Sequence, residues 1–436
     1  MRILHTADLH LGQTFHSYDR TAEQGRCLES IEKAIADSRP DAYLISGDVY
    51  HTAAPGTAAQ EMFIRHLMNV HEASPRTRVV VTAGNHDSSR IEITDPLWNL
   101  VGVTVIGSIQ RNMAEGEDNP EYHRELFGRH IITAGDEEAP AGYVVALPYC
   151  HPGNFPSVEE GLPREERGKR LIRMMLEEVA RRNTAGLPVV LMAHTAVRKA
   201  SGADPDAFGQ DLEIIGGIDM VDPEIFGQGY DYVALGHIHY PQDITGRIRY
   251  SGSPLPVSFD EDYRHSITLA DIEKHGAVPI IREIPTVNVM PVITIPEQEH
   301  PGPRGWADAG EVRSVPWKEA LEALENFPAD RPGYLRLNVT DDGTIPAEAR
   351  DIAAKTAAGR CLKAKFCLVN RVKKDTGQAG GTSSRTQLSA AQLGTMSPLQ
   401  VAELFYRETT GDEFPQDLRT LLEDVIRDTA TQNRMP

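Results

Sequence analysis

Five short polar motifs, each directly behind an apolar run, constrain this chain of 436 residues more than any other feature. Each apolar run has the length and composition of a buried strand. The motifs are Asp8-Leu9-His10, Gly47-Asp48-Val49-Tyr50-His51, Gly84-Asn85-His86-Asp87, Ala193-His194-Thr195 and Gly236-His237-Ile238-His239. The candidate ligands among them are two carboxylates, one carboxamide and several imidazoles, which is the ligand set of a site for two metal ions that attacks phosphate esters.

Strand-like and helix-like segments alternate over residues 1 to about 275. Ile3–Ala7 and Ala42–Ser46 are apolar runs, and between them Leu28, Ile31 and Ile35 fall on one face of a helix. Such alternation predicts an α/β fold in which helices flank layered sheets. Ligands of these folds bind beyond the carboxyl ends of the strands. All five motifs are therefore expected at one edge, although more than two hundred residues separate the first from the last.

Changes in composition divide the chain into four predicted parts. Residues 1–275 carry the motifs, and residues 276–374 form a small α+β capping domain that begins in a proline-punctuated stretch. Residues 375–387 are rich in Gly, Ser and Thr, which is typical of a flexible linker. Residues 388–436 form a tail with the apolar spacing of amphipathic helices. The tail either packs on its own domain or docks in a groove of another protein, and the linker favours the partner.

Composition limits the class of protein. The net charge is −19, which argues against coating nucleic acid with the whole surface but not against a nuclease. No apolar run approaches the roughly 18 residues that span a bilayer, and the N-terminus becomes polar too soon for a signal peptide. The four cysteines form no CxxC pair, which favours reduced thiols over a metal or disulfide site. We expect a cytoplasmic protein that does not bind membranes.

The spacing within the motifs predicts which side chains act together. Asp8 and His10 lie two residues apart, so on an extended strand end they point the same way and chelate one ion. His237 and His239 have the same spacing. Asp48 stands in a Gly-Asp turn, where its carboxylate can bridge two cations. The predicted metal ligands are Asp8, His10, Asp48, Asn85, His194, His237 and His239.

Two histidines beside these ligands are candidates for other roles. Paired ions about 3.5–4 Å apart polarise a phosphate, activate a shared water and hold the attacking and leaving oxygens in line. His86 is then suited to protonate the leaving oxygen, although an eighth ligand position or a structural hydrogen bond is the alternative. His51 is predicted to bind the substrate phosphate. The alternatives are that it holds a metal ligand in place or has a plain structural role.

These motifs resemble those of the calcineurin-like metallophosphoesterases. Three segments are similar to the double-strand-break repair nucleases within that family: His5-Thr6-Ala7-Asp8-Leu9-His10-Leu11-Gly12, Gly47-Asp48-Val49-Tyr50-His51 and Gly252-Ser253-Pro254-Leu255-Pro256-Val257-Ser258-Phe259. The agreement covers roughly residues 1–260, and the remainder matches only in layout. The resemblance implies a β-sandwich flanked by helices, with a capping domain that helps to position DNA.

The resemblance also implies cofactors, activity and partners. It implies two divalent ions, manganese above all. One ion would be held by Asp8, His10 and His239 and the other by Asn85, His194 and His237, with Asp48 bridging the two. The implied activity is exonucleolytic on duplex ends and endonucleolytic on single strands or hairpins, with His86 acting on the leaving group. The implied partners are DNA, a large coiled-coil ATPase that binds the helical tail, and a second copy of the chain joined through the nuclease domain.

The sequence alone leaves two other functions open. The same scaffold serves phosphatases and phosphodiesterases with small substrates, but such enzymes need neither a second domain nor a tethered tail. A protein that holds DNA ends without cutting them would not need the complete ligand set. The metal is open too, because mixed oxygen and imidazole ligands suit manganese, iron and zinc alike.

Overall fold

A computed structural model describes residues 1–109, 127–136, 138–150, 164–198, 221–261, 263–298, 313–360 and 363–372, together with seven isolated positions between 399 and 419. The chain forms two compact units, Met1–Lys374 and Asp375–Pro436. The predicted linker lies outside the described residues, and so does nearly all of the predicted helical tail.

Fifteen strands and six helices are described in the first unit. The strands are β1 (Arg2–Thr6), β2 (Ala42–Ser46), β3 (Arg78–Thr82), β4 (Val103–Ile106), β5 (Ile131–Gly135), β6 (Pro140–Ala146), β7 (Val189–His194), β8 (Tyr232–Gly236), β9 (Gln242–Asp243), β10 (Ile248–Tyr250), β11 (Ser266–Asp271), β12 (Ile280–Pro285), β13 (Val292–Ile295), β14 (Gly333–Thr340) and β15 (Ala364–Val372). The helices are α1 (Thr21–Ser38), α2 (Thr57–Ala73), α3 (Asp95–Trp98), α4 (Arg164–Arg182), α5 (Trp317–Asn326) and α6 (Ala349–Gly359).

Two six-stranded sheets form the centre of this unit. Their strand orders are β12-β11-β1-β2-β3-β4 and β5-β6-β7-β8-β10-β9. Side chains such as Ile3, Leu44, Val144 and Val190 fill a fully buried layer that contains residues of both sheets. The outer face of the first sheet packs with α1 and α2, and that of the second with α4. The predicted layered α/β sandwich with flanking helices is thus confirmed.

The strand directions bring the motifs to one edge. Strands β1, β2, β3 and β4 run parallel, as do β6, β7, β8 and β10. Parallel neighbours end on the same side, so Asp8, Asp48 and Asn85 follow adjacent strands of one sheet. His194 ends β7, and His237 follows β8 directly in the other sheet. A site at this edge therefore draws donors from both sheets.

Residues 112–140 are rich in acidic residues, Gly and Asn, which predicts a surface excursion, as a hairpin or an irregular loop, before the next strand. Within this range the structure describes residues 127–136 and 138–140, and it places there the strand β5, which pairs antiparallel with β6 and is largely buried. The apolar residues Ile131, Ile132 and Ala134 contribute to the core, and burial of their side chains outweighs the polar composition around them.

A smaller layer follows the second sheet along the chain. Strands β13, β14 and β15 form a parallel three-stranded sheet, and α5 and α6 pack on it through a separate apolar core. Tyr334 of β14 is fully buried in a further cluster with Phe15, which follows β1, and Phe259, which precedes β11. We refer to the described residues from 291 to 372 as the capping layer. No helix among the described residues is long and apolar enough to span a membrane.

Candidate metal centre

At the strand ends that carry the motifs, several residues have backbone conformations that residues other than glycine rarely adopt. Asp8, His10, Asp48 and His237 all have positive φ angles, of 55°, 43°, 49° and 99°. Such angles are uncommon for residues other than glycine and persist only where the surroundings enforce them. Here the enforcement includes two backbone hydrogen bonds, from the Asp8 N–H to the Gly47 carbonyl at 3.1 Å and from the His10 N–H to the Asp48 carbonyl at 3.0 Å.

Three of the predicted ligands form one group. A donor atom from each of Asp8, His10 and His239 lies within 4.8 Å of the other two. The Nε2 atoms of His10 and His239 are 3.2 Å apart. Nδ1 of His239 donates to Glu261 Oε1 at 2.9 Å, so the neutral ring keeps the lone pair of Nε2 directed at His10.

The remaining predicted ligands form a second group. Nδ1 of His194 donates to the Ser46 carbonyl at 2.8 Å, which leaves a lone pair on its Nε2. That atom lies 3.0 Å from Asn85 Oδ1 and 3.4 Å from Asp48 Oδ2. Asn85 Oδ1 also lies 3.0 Å from Nδ1 of His237. Asp48 belongs to this side and also approaches the first group, with Oδ2 3.8 Å from His10 Nε2.

Acceptor atoms that face one another need a cation between or beside them. When His194 is neutral, its Nε2 lone pair faces the oxygens of Asn85 and Asp48, which are acceptors too. The Nε2 atoms of His10 and His239 also face each other, and Nδ1 of His10 is buried without a hydrogen-bond partner in the described structure. Oxygen and imidazole donors in two adjoining groups therefore fit two divalent ions.

Burial and the neighbouring carboxylates shift the pKa values of these groups away from their usual ranges. Burial opposes protonation of His194, but the Asp48 carboxylate outweighs it and raises the pKa of His194 to about 9. Burial raises the pKa of Asp8 to about 6, and burial lowers the pKa of His237 to about 3. Without ions, a proton on His194 supplies part of the charge that the ions would bring, so protons and ions compete for the site.

Asp87 ties two of the motifs together. Its Oδ2 accepts the N–H groups of Gly84 at 2.9 Å and Val49 at 3.0 Å, and its Oδ1 accepts that of Tyr50 at 2.9 Å. The side chain is buried, and burial with the nearby charge of Asp48 raises its pKa to about 6. Asp87 thus fixes the loops that present Asp48 and Asn85, without being a member of either ligand group.

His86 and His51 lie beside the first group. Nδ1 of His86 donates to the His51 carbonyl at 2.9 Å, and the two rings stack with centroids 5.7 Å apart. The His86 ring also meets the His10 ring edge-on at 4.9 Å. Both side chains are half-buried. The hydrogen bond to the His51 carbonyl orients the His86 ring through Nδ1, so Nε2 of His86 is available to a substrate.

Every predicted site residue lies at this one edge, and two further contributors carry no recognisable signal in the sequence. Asp87 belongs to one of the five motifs, but its position there assigns it no role. Glu261 lies 22 residues from its partner His239, and the sequence has no periodicity that links them. In the sequence, such a supporting carboxylate is visible only as an acidic residue somewhere after a ligand-bearing loop.

The fold and this site define the class of protein. A family model of the calcineurin-like phosphoesterases matches residues 1–241. The chain belongs to this family and is a metal-dependent hydrolase.

The relatives narrow the class further. The chain is 34% identical over 342 residues to a Rhodobacter capsulatus protein named as the SbcD component of the SbcCD nuclease, and the match covers 76% of this chain and 77% of the relative. Proteins of the same name from Escherichia coli K12 and Bacillus subtilis are 26% and 32% identical, covering 98% and 62% of this chain and 98% and 66% of theirs. The resemblance to the SbcD branch of the family is therefore confirmed.

Proposed function

We propose that the chain is the nuclease subunit of a DNA-end-processing complex and hydrolyses phosphodiester bonds with two divalent ions. The proposed activities are exonucleolytic on duplex ends and endonucleolytic on single strands or hairpins. The observation that carries the proposal is the convergence of acceptor atoms at an edge drawn from both sheets, where ligand atoms of Asp8, Asp48 and His194 lie within 4.8 Å of one another and Asp48 also approaches His10. The relatives named as nuclease subunits support DNA as the substrate.

We propose the following division of work among the side chains. Asp8, His10 and His239 would hold one ion and Asn85, His194 and His237 the other, with Asp48 placed to be a ligand of both. When bound, the ions polarise the phosphate and activate a water for in-line attack. His86, oriented by the His51 carbonyl, protonates the leaving oxygen through Nε2. The side chain of His51 lies close enough to His86 to contact the same phosphate.

Manganese is the proposed cofactor. The mixture of carboxylate, carboxamide and imidazole donors suits it, and these donors also suit iron and zinc. Two dications would outweigh the charges of Asp8 and Asp48 and give the site a positive sign in a chain of net charge −19. A phosphodiester would then be drawn to this edge rather than to the rest of the surface. Because the proposed substrate is DNA, we propose that the enzyme acts in the cytoplasm.

We propose two protein partners. An SbcC-type coiled-coil ATPase is the first, bound by the helical tail at residues 388–436 beyond the linker at residues 375–387. Such a partner supplies the DNA-binding surface that an acidic chain lacks. The second is another copy of the chain, joined through the nuclease domain at residues 1–275 rather than the capping domain at residues 276–374.

Substrate preference tests the proposal. With manganese and the ATPase partner, the protein is expected to cut a hairpin oligonucleotide far faster than it hydrolyses a nitrophenyl phosphate diester. The Asp48→Ala variant, which lacks the shared ligand, is expected to lose both activities. Hydrolysis of the small ester alone would identify a phosphodiesterase of small substrates instead, and unchanged cutting by Asp48→Ala would refute the two-ion site.

A further inference from the structure

Three successive residues connect a metal ligand to the capping layer. Phe259 packs in the cluster that includes Tyr334 of β14. Asp260 forms an ion pair with Arg336 of the same strand at 2.7 Å, and the Arg336 guanidinium lies 5.3 Å from the centre of the Phe259 ring. Glu261 accepts the hydrogen bond from His239 Nδ1. The segment 259–261 therefore touches the capping layer with two side chains and the candidate metal centre with the third.

Glu261 is fixed independently of His239. Its Oε2 accepts the Ser253 hydroxyl at 3.1 Å and the Val257 N–H at 3.0 Å, and its side chain is buried. The same stretch of chain also holds the backbone of His239, because the Tyr263 hydroxyl donates to the His239 carbonyl at 2.8 Å. Both the ring and the backbone of this ligand thus take their positions from residues 253–263.

The other group of ligands is supported differently. His194 is held by the carbonyl of Ser46 at the end of β2, and Asn85 Oδ1 lies against the rings of His194 and His237. None of these contacts involves residues 259–261 or the capping layer. A displacement of the capping layer would therefore act first on His239 and on the ion position that it shares with Asp8 and His10.

We infer that Glu261 is a positioning residue for His239, and that segment 259–261 transmits displacement of the capping layer to the ion held by Asp8, His10 and His239. The inference rests on the proposed two-ion function. Carboxylates that accept the second ring N–H of a ligating histidine fix its tautomer and orientation, and losing one weakens metal binding about 10–100-fold. DNA that displaces the capping layer would by this route alter the occupancy of a single ion.

Manganese binding to the full chain tests the role of Glu261 without relying on catalysis. Titration of wild-type protein is expected to show two ions, and electron paramagnetic resonance is expected to show a spin-coupled pair. In Glu261→Ala, the affinity for one ion is expected to fall about 10–100-fold while the other is unchanged, which leaves the six-line spectrum of an isolated ion. In Glu261→Gln the amide oxygen can still accept from His239, so most of the affinity returns, at the cost in stability of the Val257 N–H that loses its acceptor.

The transmission step needs a variant in the capping layer and a matched control. Arg336→Ala removes the ion pair with Asp260 and is expected to weaken the same ion a few-fold. Arg331→Ala is the control, because Arg331 stacks on Phe327 of the same layer at 5.7 Å and makes no described contact with segment 259–261. It is expected to bind both ions as the wild type does.

The outcomes separate the inference from the proposed function. Wild-type protein that binds fewer than two ions would remove the proposed function itself. Two ions in the wild type with unchanged affinities in Glu261→Ala would overturn the role of Glu261, and Glu261→Gln decides the matter if the alanine variant does not fold. Equal behaviour of Arg336→Ala and Arg331→Ala would overturn the transmission step alone.

Discussion

At the scale of single residues, the candidate metal centre depends on carboxylates that do not themselves face an ion. Asp87 and Glu261 are both buried, and each accepts three hydrogen bonds. All three donors to Asp87 lie in ligand-bearing loops, whereas Glu261 accepts one from the ligand His239 and two from its own loop. Buried carboxylates are costly unless such donors are present, so each is satisfied only in the native arrangement of its loop. These hydrogen bonds therefore fix the conformations of the loops as well as the positions of the ligands.

We expect Asp87→Asn to lower both stability and metal affinity. An amide has only one acceptor oxygen, so at least one of the backbone N–H groups of Gly84, Val49 and Tyr50 loses its partner. A buried donor without a partner costs about 1–3 kcal/mol. The free energy of unfolding from urea titration measures this cost. Asp342→Asn is the control, since Asp342 accepts the Thr344 N–H in an exposed turn and the change there should be close to zero.

His86→Ala is expected to reduce the cleavage rate about 10²–10⁴-fold without weakening manganese binding, because a general acid contributes in that range. His51→Ala keeps the backbone carbonyl that orients His86 and should lose less. Single-turnover cleavage and a manganese isotherm measure the two effects separately. Weakened ion binding in His86→Ala would mark this residue as an eighth ligand instead.

The metal-free protein is expected to lose stability as the pH rises from about 6.5 to about 9. The pKa of His194 is raised to about 9 in the folded state, so in this window the folded protein keeps a proton that the unfolded chain releases. His10 and His237 have lowered pKa values and are neutral in both states above pH 6.5. Urea titrations with chelator should show the decline, and saturating manganese or His194→Gln should flatten it.

At the scale of elements, the strand ends are packed so closely that glycine is required between them. A Cβ atom on Gly84 would lie 2.0 Å from Asp48 Oδ1 and 2.3 Å from the Asp48 nitrogen. A Cβ atom on Gly236 would lie 1.9 Å from the Ser46 carbonyl oxygen. These approaches join β2 to β3 and β8 at the level of the ligands, so the loops cannot adjust independently.

Gly84→Ala is therefore expected to displace Asp48 and to weaken both ions, since Asp48 lies next to both groups. A loss of affinity of about 10–100-fold, comparable to the loss of a supporting residue, is the expected minimum. Gly246→Ala is the control, because a Cβ atom there would meet nothing within 4 Å. Equal manganese isotherms for the two variants would contradict the close packing described for these loops.

The sequence predicts the ligands better than it predicts their support. Asp8, Asp48 and His194 stand at or directly behind the ends of buried strands, and parallel pairing brings such positions together whatever the loops do. Glu261 acts through a contact that depends on how a loop folds back over the second sheet, and no local pattern encodes that path. The strand β5 escapes prediction for a related reason, because its few apolar residues are surrounded by polar ones.

At the scale of the whole molecule, two exposed apolar side chains mark a candidate surface for the proposed contact between copies of the chain. Among the described residues, Leu97 and Leu100 are exposed to 68% and 83% and lie just after the loop that carries Asn85 and His86. Exposed apolar surface often marks a contact between subunits.

We expect the double variant Leu97→Ser and Leu100→Ser to shift the proposed dimer of this chain toward monomer. The matched control replaces Val278 and Ile280 with serine. These side chains are exposed to 62% and 68% and lie just before and at the start of β12, an edge strand of the first sheet. Sedimentation velocity at several protein concentrations distinguishes the two. Dissociation by the control pair alone would place the contact between copies at that edge strand instead.

The origin of the donors has a consequence for how the native state is reached. Asp8, His10, Asp48 and Asn85 precede residue 86, whereas His194, His237 and His239 come from the second half of the sandwich. Neither half alone contains a complete set, so tight capture of manganese cannot occur until the two sheets have met. Uptake of the ion during refolding would then report a late event, and its rate would follow docking of the halves rather than formation of either one.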